Sequence, residues 1–202
     1  MAATRRNMRP FYRSLGCSLD LWIFTPGIFD LFFEEYKPNN RVNTTLAKQL
    51  ALYVVLYSPL HMAADLPENY EARPEPFQFT VDVPTDWQDT QVLHARIGDY
   101  VTIVRQGRNS ADWYLGSITD EEGQVLQAPL HFLAPDKKYV AEIYRDGESA
   151  DWKSNPYDIE IKNVLVDNAT ILTLRLAPGG GQAIRFKPAT EEDIQRLAPA
   201  RN

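Results

Sequence analysis

The stretch Ile171-Leu172-Thr173-Leu174-Arg175-Leu176-Ala177-Pro178-Gly179-Gly180-Gly181-Gln182-Ala183-Ile184-Arg185-Phe186 decides the fold class. Side chains on a strand alternate between its two faces, so Leu172, Leu174 and Leu176 form one inward face and Thr173 and Arg175 lie on the other. The Pro178-Gly179-Gly180-Gly181 run that follows has the glycine content of a phosphate cradle. No Lys-Ser/Thr pair comes after it, and residues 183–186 read as a strand rather than a helix, so the run is expected to be a tight turn.

The same period of two extends back to about Thr90. Residues 100–105, 113–119, 139–145 and 157–166 are further strands, with weaker alternation over 91–95 and 124–127, and Gly, Asp, Asn and Pro divide the runs. About eight strands with no helical segment between them predict an antiparallel sandwich or barrel.

Before residue 90 the character changes. Leu46, Leu50, Val54 and Tyr57 recur at helical spacing over residues 43–57, Thr44 or Thr45 can cap the start, and Pro59 closes the end. The other side carries Ala47, Ala51, Leu52, Val55 and Leu56, with Lys48 the only charge, so the helix expects cover on more than one side. Residues 21–24 and 28–33, separated by Thr25-Pro26-Gly27, read as interior segments. Phe77, Phe79, Val81 and Val83 alternate like a strand, but Pro74, Pro76 and Pro84 bracket them and argue against a central strand. Residues 188–202 are polar and are expected to form a loosely held tail.

Composition bounds the function. The chain has 202 residues, 44% hydrophobic and 24% charged, with a formal net charge of −6, the profile of an ordinary folded domain. A complete eight-stranded β/α barrel, at roughly 250 residues, does not fit. The acidic balance offers no general attraction for phosphate backbones, so nucleic acid is not an expected partner. Cys17, the single cysteine, excludes an internal disulfide framework and a multi-cysteine zinc site. Arg5, Arg6, Arg9 and Arg13 precede Ser14-Leu15-Gly16-Cys17, which looks like a lipoprotein cleavage site, but no apolar stretch lies between them, so no export signal is expected. The longest apolar run, residues 50–60, is too short for a membrane span.

Candidate chemistry is sparse. Glu34-Glu35, Asp120-Glu121-Glu122 and Glu191-Glu192-Asp193 are the carboxylate clusters, and neighbouring acids in turns or tails are expected to be solvated rather than paired across a cleft as glycoside hydrolysis requires. Residues 146–151 have the oxygen chemistry of a calcium loop without its ligand alternation or closing glutamate, and are expected to connect a hairpin. His61, His94 and His131 have no metal-ligand spacing, and nothing pairs Cys17 with any of them as a nucleophile. Trp87, Trp113 and Trp152 raise a sugar-stacking reading, against which core packing is the ordinary role of aromatics in sandwiches. The residues themselves assign no catalytic, cofactor-binding or metal-binding position.

A combination of short motifs adds more. Thr25-Pro26-Gly27-Ile28-Phe29-Asp30, Leu46-Ala47-Lys48-Gln49-Leu50-Ala51-Leu52-Tyr53-Val54-Val55, Ser58-Pro59-Leu60 and Ala64-Asp65 are followed in order by Val83-Pro84, Trp87, Thr90 and Gly98-Asp99-Tyr100-Val101. Asp112-Trp113-Tyr114-Leu115-Gly116, Arg145-Asp146-Gly147 and Ala177-Pro178-Gly179-Gly180-Gly181 complete the series. In order and spacing this resembles the C-terminal part of glycoside hydrolase family 97, the α-glucosidase and α-galactosidase enzymes, over about residues 25–187. The resemblance fades before residue 25, and Asp20 receives no role.

The resemblance implies a fold that is mainly β: a C-terminal antiparallel sandwich of about eight strands preceded by a helical remnant of a β/α barrel. Residues 1–89 would be the partial end of the catalytic barrel and a linker helix, 90–187 the oligomerisation-type sandwich, and 188–202 a polar tail. It favours a short helix for residues 76–83. It also places the family's general acid, its base or nucleophile and its calcium-binding glutamates upstream, so calcium belongs to the complete enzyme and none of these residues maps here. The resulting expectation is a C-terminal portion of a glycosidase acting on terminal α-glycosidic bonds of an oligosaccharide, inactive alone, from a periplasmic or exported family. Two alternatives stand beside it. One is an interaction module that self-associates or pairs with a catalytic portion through the apolar residues 20–60, and the other is a carbohydrate-binding module.

Overall fold

The computed structural model describes residues 23–33, 37 and 39–200. The chain begins with a parallel pair, β1 (Ile23–Phe24) and β2 (Leu60–His61), connected through helix α1 (Leu46–Val55). Parallel neighbours cannot be joined by a hairpin, so the helix is the crossover of a β–α–β unit. Thr45 caps α1 by accepting from the Lys48 amide, which satisfies one of the donors a helix start leaves unpaired. Leu56 leaves the helix in an extended conformation, so the helix is shorter than the predicted 43–57 span by three residues at its start and two at its end.

Helices α2 (Pro67–Glu71) and α3 (Pro74–Asp82) follow. Each starts on a proline, whose missing N–H costs nothing in a first helical turn. The alternating run is therefore helical as far as Asp82, with Val83 the extended C-cap, as the proline bracket requires, and with Phe79 buried and Val81 63% exposed.

From Trp87 onward the alternation builds two sheets. Six strands, β3 (Trp87–Arg96), β4 (Tyr100–Gly107), β5 (Trp113–Thr119), β7 (Tyr139–Asp146), β8 (Ile159–Val166) and β10 (Gly181–Pro188), are arranged β3-β4-β5-β10-β7-β8, with every neighbouring pair antiparallel. The second sheet is β6 (Gln124–Pro129) against β9 (Ile171–Leu176). The Pro178–Gly181 turn thus carries the chain from one sheet to the other, closed by a bond from the Gly180 amide to the Ala177 carbonyl.

Three layers result. Leu172, Leu174 and Leu176 pack with Leu115, Ile143, Ile184 and Phe186 between the sheets. On the opposite face of the large sheet, Leu46, Leu50, Ala51 and Val54 of α1 meet Tyr114, Tyr144 and Ala183. This second cover explains why α1 lacks a polar face. Its close approach depends on glycine. A Cβ on Gly116 would lie 2.7 Å from the Ala51 carbonyl, and one on Gly181 2.7 Å from the Lys48 Cα.

Buried Arg105 of β4 reaches the end of α1, where Nε donates to the Val54 carbonyl at 2.7 Å and Nη2 to the Val55 carbonyl. A cation there satisfies terminal carbonyls and complements the helix dipole. Arg185 of β10 joins α3 to the sheet through Asp82 at 2.8 Å and Asp112 at 2.9 Å.

The final segment departs from the loosely held tail expected for residues 188–202. Helix α4 (Glu191–Arg196) starts with a capping box between Thr190 and Asp193. After it, Leu165 of β8 donates to Ala198 and accepts from Ala200. Local capping and backbone pairing hold what composition alone reads as free chain.

Candidate functional site

The sequence-level candidates do not converge. Glu34-Glu35, Cys17 and Asp20 lie outside the described residues. Glu121 and Glu122 are exposed in the β5–β6 turn, where Asp120 accepts from the Glu122 amide. Glu191, Glu192 and Asp193 occupy the first turn of α4, where the helix dipole favours acids. The 146–151 loop connects β7 to β8, with the Asp151 carboxylate taken up by the Lys153 and Ser154 amides. His61 stands edge-on to Tyr53 beneath α1, His94 is in β3 and His131 is joined to Asn168. Among the described residues, no group of three His, Cys, Asp or Glu side chains is placed to hold a metal ion.

The tryptophans correct the sugar-stacking reading. Trp87 and Trp113 are each only 7% exposed, held in the two cores. Trp152 is half-buried with Arg41 and Lys153 against its ring. The apolar environment of a sandwich interior claims such rings first.

Instead, the structure places a polar knot around the loop that follows β1. Asp65 Oδ2 accepts from the Phe29 amide at 2.7 Å and the Asp30 amide at 2.6 Å, and its Oδ1 accepts from Leu66 and Asn69. Buried Gln49, on α1, accepts with Oε1 from the Gly27 and Ile28 amides, both at 3.1 Å. Tyr70 donates to the Gly27 carbonyl and accepts from the Asp65 amide, and Tyr53 donates to Pro26. Burial pushes the Asp65 carboxyl up, but its bonds from Asp30, Asn69, Leu66 and Phe29 outweigh that and hold it below the usual range. Burial raises the Tyr53 and Tyr70 phenols, keeping both protonated as donors.

Gly27 is required twice in this knot. Its φ is +82°, and a Cβ there would collide with the Tyr53 hydroxyl. The knot fixes the loop after β1 to the loop after β2. Because β1 and β2 are parallel, both loops leave from the C-terminal ends of their strands, the end at which β/α barrels place chemistry.

A second anchor lies at the same, N-terminal end of α1, where Gly181 packs against Lys48. Asp146 Oδ2 accepts from the Ala177 amide at 2.9 Å and the Gly181 amide at 2.8 Å, so it holds the Pro178–Gly181 turn. Burial pushes its carboxyl up to about 6, against the Thr45 hydroxyl, these amides and the Lys48 ammonium. Lys48 donates to the Thr119 carbonyl, and its own burial lowers its pKa despite Asp120, Asp146 and Glu121.

Gln49, Asp65 and Asp146 were assigned no role by residue patterning. The available signals were a polar residue inside an apolar helix and acids inside short ordered motifs. Next to the knot, the surface is apolar: Tyr57, Leu60, Met62 and Leu66 are 45%, 51%, 48% and 48% exposed.

A family model described as the C-terminal, oligomerisation region of glycosyl-hydrolase 97 matches residues 86–187, just over half of the chain. A retaining alpha-galactosidase of Bacteroides thetaiotaomicron is 38% identical over 143 residues, which are 71% of this chain and 21% of that protein. A glycoside hydrolase family 97 enzyme of Pseudoalteromonas sp. strain K8, solved in complex with panose and with acarbose, is 52% identical with a TM-score of 0.80. The match covers 84% of this chain and 27% of that one. A beta-arabinopyranosidase shares the fold at 23% identity and a TM-score of 0.68, over 82% of this chain and 25% of that one. The chain spans about a fifth of the curated relatives it matches and about a quarter of the solved ones.

Proposed function

Because the chain belongs to glycoside hydrolase family 97, as a C-terminal segment with its sandwich, we propose that it completes a glycosidase acting on terminal α-glycosidic bonds. Residues 23–82 supply the closing β–α–β unit and following helices of the catalytic barrel, and the sandwich from Trp87 braces that unit from outside. The single observation that carries this reading is the knot made by Asp65 and Gln49. It spends at least six buried or half-buried hydrogen bonds on fixing two loops at the C-terminal end of parallel strands. Such rigidity is what a barrel demands of the loops that border its active site.

In this reading the reacting carboxylates come from barrel strands other than β1 and β2. Protein positioning, not acid–base chemistry, is the contribution of residues 23–200. The calcium that the family resemblance implies would be held by residues of the complete enzyme outside 23–200. The α-glucoside class is favoured by the 52% identity to an enzyme solved with panose and acarbose, against 38% to an alpha-galactosidase. The complete enzyme acts in the periplasm or outside the cell.

The exposed Tyr57 and Leu60 support a second reading of the same surface. It makes the chain an interaction module that self-associates or docks a separate catalytic portion through residues 20–60. Assay of the purified 202-residue chain on nitrophenyl α-glucoside and α-galactoside tests the proposal. No turnover of either is expected, and turnover abolished by substitution within residues 23–200 would overturn the placement of the chemistry elsewhere.

A further inference from the structure

A six-stranded sheet covered by only two strands leaves part of its inner face uncovered. The register shows where. Arg145 of β7 stands opposite Glu160 of β8 and Gln182 of β10, and one row along, Ile143 stands opposite Lys162 and Ile184. At this end the sandwich face turns from apolar to polar, and a cavity of about 520 Å³ opens among Ile143, Arg145, Lys162, Leu172, Arg175 and Gln182. A second cavity of about 450 Å³ shares Arg145 and Arg175 and continues toward Glu148 and Glu160. The two arginines therefore stand at the waist of one groove.

Three features of this groove are unspent. Gln182 is 2% exposed, yet its Oε1 is buried without a hydrogen-bond partner, a state that costs free energy unless a ligand supplies a donor. Arg175 is exposed and makes no ion pair among the described residues. Arg145 gives Nε and Nη2 to Glu160, which also takes Lys162 at 3.2 Å, leaving Nη1 available. The first cavity is lined by Arg145, Lys162 and Arg175, the first two paired with Glu160 at its edge, and the second adds Glu148 and Glu160 as acceptors.

We propose that this groove binds an acidic saccharide of about two rings. Its carboxylate lies against Arg145, Lys162 and Arg175. One hydroxyl donates to Gln182, and the hydroxyls of the second ring donate to Glu148 and Glu160. The volumes suit one ring each within the range typical of ligand sites, and Ile143 and Leu172 offer apolar wall to the C–H face of a ring. The carboxylate follows from Arg175, which has no ion pair among the described residues, beside the Nη1 that Arg145 keeps free of Glu160, since charge-assisted bonds to arginine are the strong ones. The site is separate from the barrel loops and does not depend on the glycosidase reading.

Calorimetric titration of the whole chain at low salt with digalacturonate, and with maltose as the neutral control, tests this. Saturable binding of digalacturonate, with maltose binding at least about tenfold weaker, is expected. Arg175→Met, which breaks no internal bond, weakens digalacturonate binding by about tenfold or more at an unchanged unfolding midpoint, and Gln182→Met weakens it less. Absence of saturable binding, equal binding of maltose, or unchanged affinity in Arg175→Met would each overturn the proposal.

Discussion

Two carboxylates of this chain solve opposite problems. Asp65, half-buried but saturated by donors, is held ionised, so the stability it lends is complete above the ordinary carboxylate range and lost as pH falls below it. Asp146 is buried with its carboxyl raised to about 6. A raised carboxyl lends stability that is complete below its unfolded value and lost as pH rises through the folded one. Urea denaturation across pH is expected to show wild-type stability falling relative to Asp146→Asn between about pH 4 and 6, with parallel curves above that window. Curves parallel throughout would refute the raised value. Removing the acceptor altogether in Asp146→Ala strands the Ala177 and Gly181 amides and is expected to cost about 2–4 kcal/mol. Gly27→Ala combines a left-handed φ with a collision against Tyr53 and is expected to cost about 3 kcal/mol. An unchanged midpoint in chemical unfolding would show that the knot yields. None of these roles is legible in the residues alone, because Asp65 meets the Phe29 amide across 36 positions and Asp146 meets Gly181 across 35. A loop acid that binds distant amides has the same local sequence as one that faces water.

At the level of elements, local physics made most of the structure readable. Period-two alternation located β4, β5, β7, β8, β9 and β10 because each strand buries one face or both, and even the weaker runs at 91–95 and 124–127 fall inside β3 and β6. The run at 77–83 shows the limit of periodicity. Its alternating apolar residues suit a strand, and only the prolines identify the helix, since they start a helix freely but remove ladder donors from a strand. Pairing between elements was less legible. Nothing in the residues around Arg105 announces that a strand arginine will close the C-terminus of α1, 50 and 51 residues earlier. Arg105→Ala leaves those carbonyls unpaired in the interior and is expected to destabilise by about 3 kcal/mol, with Arg105→Lys recovering part of it. Thermal unfolding of the three proteins measures this, and equal midpoints for wild type and Arg105→Ala would contradict the capping role.

At the scale of the molecule, α1 belongs to two structures at once. One side carries the Gln49 end of the knot, and another lies in the groove that Gly116 and Gly181 leave open on the large sheet. The large sheet of the sandwich and the β–α–β unit therefore share the second of the two cores and are expected to unfold together. Tyr57, Leu60, Met62 and Leu66 are among the exposed large apolar side chains of the described residues. A double Leu60→Asp, Met62→Asp substitution is expected to reduce hydrophobic-dye binding and self-association, measured by light scattering, while leaving the circular dichroism of the sandwich unchanged. Unaltered dye binding would place the sticky surface elsewhere.

Complementation is the most direct test of the glycosidase role. A family 97 relative lacking the residues that correspond to 23–200 is mixed with this chain and assayed on α-glucoside. Restored hydrolysis, lost again with Leu60→Asp, Met62→Asp, is the predicted result. A complex that forms but hydrolyses nothing, or no complex at all, would contradict the proposal that this chain completes a glycosidase.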